Sequence, residues 1–540
     1  MESFAGDLSQ MKRTPLLPEH VTAMRRIGTE VAFPQGAMIG KIGDRLLRLH
    51  YILEGEIEVV DPITLLRYLP NTLGPNQFTG EIAFLSGGAQ TLAMRAAEEV
   101  SAIALDREAL LSLMAKIPEL SDIVISVLAA RRRRQVESGD TALSLIGPDE
   151  DKTIGRIATF ASRNKIPYKS ARIGSLEAQQ FCAGCEGAAD QPGVILGRSK
   201  VLTDPSPLAL AKLLSLDLRI EEVLIFDTLI VGGGPAGVSA GVYAGAEGLK
   251  ALVIEDIAIG GQAGTSSRIE NYMGFPTGIS GADLVWRGEI QAMKFGTQFA
   301  MPHRVSALAK RSDGIFVATL DDGATVCAKS AVVATGVQYR RLPIAGLEQL
   351  EGSGVFYAAT EIEARYSRDT EVIIVGGGNS AGQAAMYLAR AARQVHLLVR
   401  GTSLAASMSD YLTNRLEADG QVTIHYQSEI AELHGGHTLS HVTITDKNGQ
   451  RHDIQSRAVF IMVGAVPYTA WLSGLIDLDD KGFVKTGSAA GASSPYGTSC
   501  PGIFAVGDVR AGSVKRVASS VGEGSVVISK VWDFVKTGAP

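Results

Sequence analysis

Two glycine turns of the same kind constrain this chain more than any other feature. The first reads Val231-Gly232-Gly233-Gly234-Pro235-Ala236-Gly237, after the apolar run Thr228-Leu229-Ile230. The second reads Val375-Gly376-Gly377-Gly378-Asn379-Ser380-Ala381, after Val372-Ile373-Ile374. Each follows a buried-strand pattern and opens a helix pattern, the context in which such a motif marks a dinucleotide site. The first glycine permits the tight turn, the second lets backbone approach a pyrophosphate, and the third position lets helix pack on strand. The helix N-terminus then offers free N–H groups and a positive dipole end to the phosphates. Two such sites imply two nucleotides on two Rossmann-like α/β units, the arrangement of a flavoprotein that accepts hydride from a nicotinamide.

Composition sets outer bounds. A chain of 540 residues is long enough for about three to four domains. The net charge of -6 gives no global nucleic-acid signature, and four cysteines do not make a disulfide scaffold. No apolar run approaches the roughly 20 residues of a membrane span. The start, Met1 to Asp7, has neither a basic end nor an apolar core. The expectation is a cytoplasmic protein with no signal peptide, no membrane partner and no nucleic-acid partner.

Between about residues 30 and 105 the chain alternates apolar and polar positions over short strands. Leu53 to Val60 reads as one strand at period two, and Ile123 to Val136 as a long helix. Gly80-Glu81 and the following stretch to Ala93 lie in this region. It resembles the cyclic-nucleotide-binding β-roll, an all-β, jelly-roll-like domain with a C-terminal helix, over about residues 20–135. In that family the Gly-Glu pair holds the ribose, and an Arg about ten residues on binds the cyclic phosphate. Here that place reads Ala89-Gln90-Thr91-Leu92-Ala93, and the nearest Arg, Arg95, aligns with a later strand. The expectation is a domain that kept its fold and no longer holds a cyclic nucleotide. Arg131 to Arg134 reads as the solvated end of the long helix.

Residues 141–217 read strand, helix, strand, helix, strand, strand, helix. This order resembles a thioredoxin-like unit, with Pro192 as its cis-proline candidate. The position at which such a unit carries its reactive cysteines reads Gly147-Pro148-Asp149-Glu150. A Cys-x-x-Cys does occur, Cys182-Ala183-Gly184-Cys185, in or after the second helix. Cys182 and Cys185 are either a displaced dithiol that accepts electrons from the flavin or two small structural residues.

From Phe226 onward the motifs become dense. Glu255 ends the second strand of the first unit, where a carboxylate takes ribose hydroxyls. Gly260-Gly261-Gln262, Asn271, Ala334-Thr335-Gly336, Gly464-Ala465-Val466-Pro467 and Gly507-Asp508 follow, with Lys515-Arg516-Val517-Ala518 opening a terminal helix. In this order they resemble the low-molecular-weight thioredoxin reductases. The resemblance implies FAD contacts from Gly232, Gly234, Pro235, Ala236, Gly237, Glu255, Gly261, Gln262, Asn271, Ala334, Gly336, Gly507, Asp508, Arg516, Val517 and Ala518. It implies NAD(P)H contacts from Gly376, Gly378, Asn379, Ser380, Ala381, Arg400 and Gly464. No metal is implied. The expected division is a β-roll over 1–140, a thioredoxin-like unit over 141–220, an FAD domain over 226–340 and 456–540, and an NAD(P)H domain over 341–455. A homodimer is expected, because both families dimerise.

One departure decides the chemistry. The reductases place a redox Cys-x-x-Cys just before the second fingerprint. Here Tyr357 is followed by Ala358-Ala359-Thr360-Glu361, so Ala358 and Glu361 stand where the cysteines should be. Neither side chain can accept two electrons. The first half-reaction, hydride transfer from NADPH to FAD, stays available. Its acceptor is then a small protein, a quinone or O₂, with transfer through Cys182 and Cys185 or a sensing role as alternatives. Arg400, with no carboxylate at its strand end, favours NADPH over NADH.

Overall fold

The computed structural model describes residues 15–537 apart from 140, 186, 199, 218–223, 267, 268, 270, 352, 358, 360–363, 365, 366, 406 and 437. At the N-terminal end two three-stranded antiparallel sheets face each other. One joins Thr29–Phe33, Val100–Asp106 and Arg48–Glu54; the other joins Met38–Gly40, Ala93–Ala96 and Ile57–Val60. The single strand expected over Leu53 to Val60 is therefore two strands. Gly55 breaks it: φ is +82°, and a Cβ there would lie 2.1 Å from the Glu99 carbonyl oxygen. The chain turns at this glycine and its halves enter different sheets. The long helix runs Pro118–Ser138, so the four arginines sit inside it rather than at its end.

The next unit is a four-stranded sheet in the order Lys200–Val201, Gly193–Leu196, Leu143–Ile146, Lys169–Ala171. Leu143–Ile146 runs parallel to Lys169–Ala171 and antiparallel to Gly193–Leu196. The helix Lys152–Arg163 starts at Asp151, whose carboxylate accepts from the Thr153 and Ile154 N–H groups, a cap that satisfies two orphan donors. The cis-proline expected at Pro192 is not there; among the described residues the cis peptide is Met301–Pro302.

The remainder holds two parallel sheets. The first carries Gln298–Ala300, Ala251–Ile254, Ile225–Val231 and Thr325–Val333, continued by an antiparallel hairpin and by Ile503–Ala505. The second carries Val355–Phe356, Ser456–Ile461, Glu371–Val375, Gln394–Val399 and Val422–Tyr426, all parallel. These are two Rossmann-like units, one at each fingerprint. The boundary expected at residue 456 moves, because Ser456–Ile461 pairs between Val355–Phe356 and Glu371–Val375, inside the second sheet. The chain crosses between the units where Gln338–Tyr339 pairs with Ala465–Val466. Among the described residues no helix is long and apolar enough to cross a membrane.

One hydrophobic cluster spans the N-terminal roll and the first nucleotide unit: Leu49, Leu105 and Val124 share it with Ile230, Ile290 and Val527. The terminal helix Val517–Thr537 lies close on Pro235–Ala246, because a Cβ on Gly524 would stand 2.2 Å from the Ala236 carbonyl oxygen. Gly524→Ala is expected to lower the thermal midpoint, by overpacking worth about 1–3 kcal/mol. An unchanged melt would mean that the two helices do not meet there.

Candidate active site

The first fingerprint builds a cradle out of backbone. Gly232 has φ +108°, and a Cβ there would lie 2.4 Å from the Ala334 carbonyl oxygen. Gly234 is the N-cap of Pro235–Ala246 and has open space beside it. A cavity of about 1000 Å³ opens at this turn. Gly232, Gly234, Pro235 and Ala236 line it, with Glu255, Gly261 and Gln262. Ala334 and Gly336 enter from the adjoining strand end; Gly507, Asp508, Arg516 and Val517 close the far side. Three of the expected residues are not in this lining. Gly237 packs under the turn, where a Cβ would meet the Gly232 carbonyl oxygen at 1.8 Å. Asn271 is exposed and outside the lining, and Ala518 lies beyond it as well.

The charges suit a nucleotide with a polyol chain. Glu255 is buried and accepts from the Gly233 N–H at 2.7 Å and the Ile257 N–H at 3.1 Å. Burial and the neighbouring Asp256 raise its pKa to about 7. Asp508 Oδ1 and Thr335 Oγ1 are buried without a hydrogen-bond partner, and burial raises the Asp508 pKa. A buried polar atom left unpaired costs about 1–3 kcal/mol, so ligand hydroxyls fit here and FAD carries them. Glu523 holds the turn in place. It accepts from the Gly507 N–H at 2.6 Å and from Arg510 Nε at 3.0 Å. No local sequence signal marks this duty of Glu523, which depends on the tertiary fold.

The second fingerprint repeats the backbone logic. Gly376 has φ +146°, and a Cβ would lie 2.4 Å from the Met462 carbonyl oxygen. Gly378 is the N-cap of Asn379–Leu388. The Asn379 side chain accepts from the Ser409 N–H at 2.8 Å, and Ser409 Oγ is buried without a partner. Ala381 packs fully buried, Gly464 has φ +88°, and Arg400 is exposed after Gln394–Val399. An exposed cation at this strand end fits a phosphorylated nicotinamide nucleotide. Ser380, Gln383, Ala384 and Met462 of this unit line the same cavity as Gly234 and Asp508. Gln383 and Met462 escaped the sequence reading because only the packing of the two units brings them there. Ala358 and Glu361 lie outside the described residues. Their neighbours Tyr357 and Ala359 line the cavity, and Tyr357 stacks on Tyr339 with ring centroids 5.8 Å apart.

A second cavity, of about 1030 Å³, lies between the roll and the long helix. Leu73, Leu92, Met94, Ile123 and Val127 give it an aliphatic wall. Glu81 is engaged from within the chain by Arg132, at 2.8 Å, and both side chains are buried. The Gly80 carbonyl accepts from Arg131 at 2.8 Å. Arg95 is tied to Glu58. The arginine run is therefore not a solvated helix end; a charge pattern read along one helix cannot see the carboxylate that packs against it.

Cys182 is the C-cap of Leu176–Phe181 and its thiol is buried. The Cys185 N–H donates to the Cys182 carbonyl at 2.7 Å. Burial raises both thiol pKa values above the ordinary range. A helix C-terminus disfavours a thiolate, whereas reactive thiols sit at N-termini.

Comparison with known proteins agrees with this geometry. Residues 226–524 match the pyridine nucleotide-disulphide oxidoreductase family, and residues 30–117 match the cyclic nucleotide-binding domain. A thioredoxin reductase of Streptomyces clavuligerus is 33% identical over 300 residues, 55% of this chain and 90% of the relative. One from Treponema pallidum is 33% identical over 313 residues, 58% of this chain and 98% of the relative. The structure of Lactococcus lactis thioredoxin reductase in its FR conformation aligns with a TM-score of 0.53 at 28% identity, covering 58% of this chain and 99% of that one.

The raised thiols make a kinetic prediction. Cys182 and Cys185 should alkylate more slowly at pH 7 than an unstructured cysteine peptide, with the rate rising only above the ordinary thiol pKa. Fast labelling of either at neutral pH would contradict the raised pKa values.

Proposed function

This chain belongs to the pyridine nucleotide-disulphide oxidoreductase family, and on that premise we propose that it is an FAD-dependent NAD(P)H oxidoreductase whose electron acceptor is not a disulfide of its own active site. The observation that carries this reading is the shared cavity: the helix of the second fingerprint and the cradle of the first line one space. When bound, FAD supplies the group that accepts hydride from the nicotinamide. The protein's part is to hold and orient. The Gly234 turn turns free N–H groups toward phosphate; Glu255 and Asp508 take hydroxyls; Ser380 and Gln383 bring the second nucleotide into the cleft. Apolar Ala359 and Met462 help to exclude water there. The chain has no cysteine between Cys327 and Cys500, and Ala358 and Glu361 occupy the positions of the reductase pair. Electrons therefore leave for a small protein, a quinone or O₂.

Residues 141–220 are read as a thioredoxin-like unit, since the third strand pairs antiparallel with the first and the second pairs parallel on its other side. The burial of Cys182 and the raised pKa values of both thiols count against transfer through Cys182 and Cys185. The roll, with Glu81 paired to Arg132 and no arginine in the stretch Ala89 to Ala93, is read as not holding a cyclic nucleotide. The FAD unit comprises 226–340 and the residues after about 465, with the NAD(P)H unit between them. Thioredoxin reductases are dimeric enzymes that use FAD and NADPH, and a cytoplasmic homodimer is proposed here.

Anaerobic stopped-flow mixing with each nicotinamide nucleotide tests the reading. NADPH is expected to bleach the flavin faster than NADH. Arg400→Ala should weaken apparent NADPH affinity about tenfold, as loss of a charge-assisted bond implies, and leave NADH unaffected. Absence of bleaching by both nucleotides would leave a sensor as the better account.

A further inference from the structure

We propose that Arg163, from the thioredoxin-like unit, is a cofactor-binding residue of the FAD cleft. The proposal rests on the reading that this cleft holds FAD. Arg163 ends the helix Lys152–Arg163, lines the cavity beside Gly261 and Glu255, and donates from Nη2 to the Gly261 carbonyl at 3.1 Å. It lies outside the matched residues 226–524, so the oxidoreductase module alone does not provide it.

Charge balance gives it a purpose. Asp256 lines the cleft beside Glu255, whose pKa burial raises to about 7, and a pyrophosphate would add two negative charges. Arg304 is already committed to Asp256, at 2.9 Å, and Arg341 to Glu351, at 2.8 Å, while Lys515 and Arg516 line the far side with Asp508. Among the described residues no carboxylate pairs with Arg163. Its one carbonyl contact leaves most of a five-donor guanidinium free for phosphate or ribose oxygens.

The segment carrying Arg163 is clamped from both sides. Asn164 donates to the Ile257 carbonyl at 3.3 Å, at the cleft. The Lys165 carbonyl accepts from Arg132 Nη1 at 3.2 Å, and Lys165 Nζ lies 3.7 Å from Asp283. Arg132 is in turn held by Glu81 in the wall of the roll cavity. Arg132 is thus a positioning residue for Arg163, and the roll contributes to how tightly the flavin is held.

The test is titration of the full-length apoprotein with FAD, followed by flavin fluorescence, with thermal melts of each protein. Arg163→Ala is expected to weaken FAD binding about tenfold or more, as loss of a charge-assisted bond implies, with the apoprotein melt unchanged. Arg163→Lys should recover part of the affinity, and raised salt should narrow the gap between wild type and Arg163→Ala. Arg132→Met should weaken FAD binding without removing Arg163. Wild-type affinity in Arg163→Ala overturns the inference. Equal losses in the Ala and Lys variants with lowered melts overturn it too, by assigning Arg163 a purely structural role. A wild-type protein that binds no FAD overturns the flavoprotein reading itself.

Discussion

The cleft depends on backbone meeting backbone at the first glycine turn. Gly232 brings its own peptide against Ala334, and the absent side chain of Gly237 leaves room for the Gly232 carbonyl. Gly524 lets the terminal helix reach the Ala236 carbonyl. These three approaches fix one helix N-terminus between two strand ends and a second helix. Side chains then only complete what the backbone has placed: Glu255 at one end, and Asp508, braced through Glu523, at the other.

From this fixed turn the other units take their functional meaning. The roll is not a separate bead, because its core residues share a cluster with the helices that flank the cradle. Its Gly80-Glu81 pair lines the roll cavity and is engaged there by Arg131 and Arg132 of the long helix. The middle unit is pinned between that helix and the cleft through residues 163–165. Reducing chemistry thus sits in a framework whose N-terminal parts touch the cofactor end of the site, an arrangement suited to tuning cofactor affinity.

Local patterns were legible in the sequence and tertiary ones were not. Both fingerprints, Glu255 and Gly507-Asp508 announce themselves because turn geometry demands particular residues within a few positions. Ser456–Ile461 ends in the apolar run Ala458 to Ile461, which suits either parallel sheet, so its membership had to come from pairing. Leu53 to Val60 alternates through Gly55, and periodicity alone cannot report a turn that depends on Glu99 across the sheet. Arg163 carries no motif; it matters because another unit's helix ends beside Gly261. Asn271 was assigned by resemblance and is exposed outside the cavity. Ala358 and Glu361 carry the proposed departure from the reductases, a reading made from residue identity.

The central claim is that the active site stores electrons on flavin alone. Anaerobic titration of the FAD-loaded protein, counting NADPH consumed per flavin, tests it most directly. The account predicts full bleaching at one NADPH per FAD, with no new thiols. Uptake of two per FAD with the appearance of two thiols would contradict it and restore a dithiol relay.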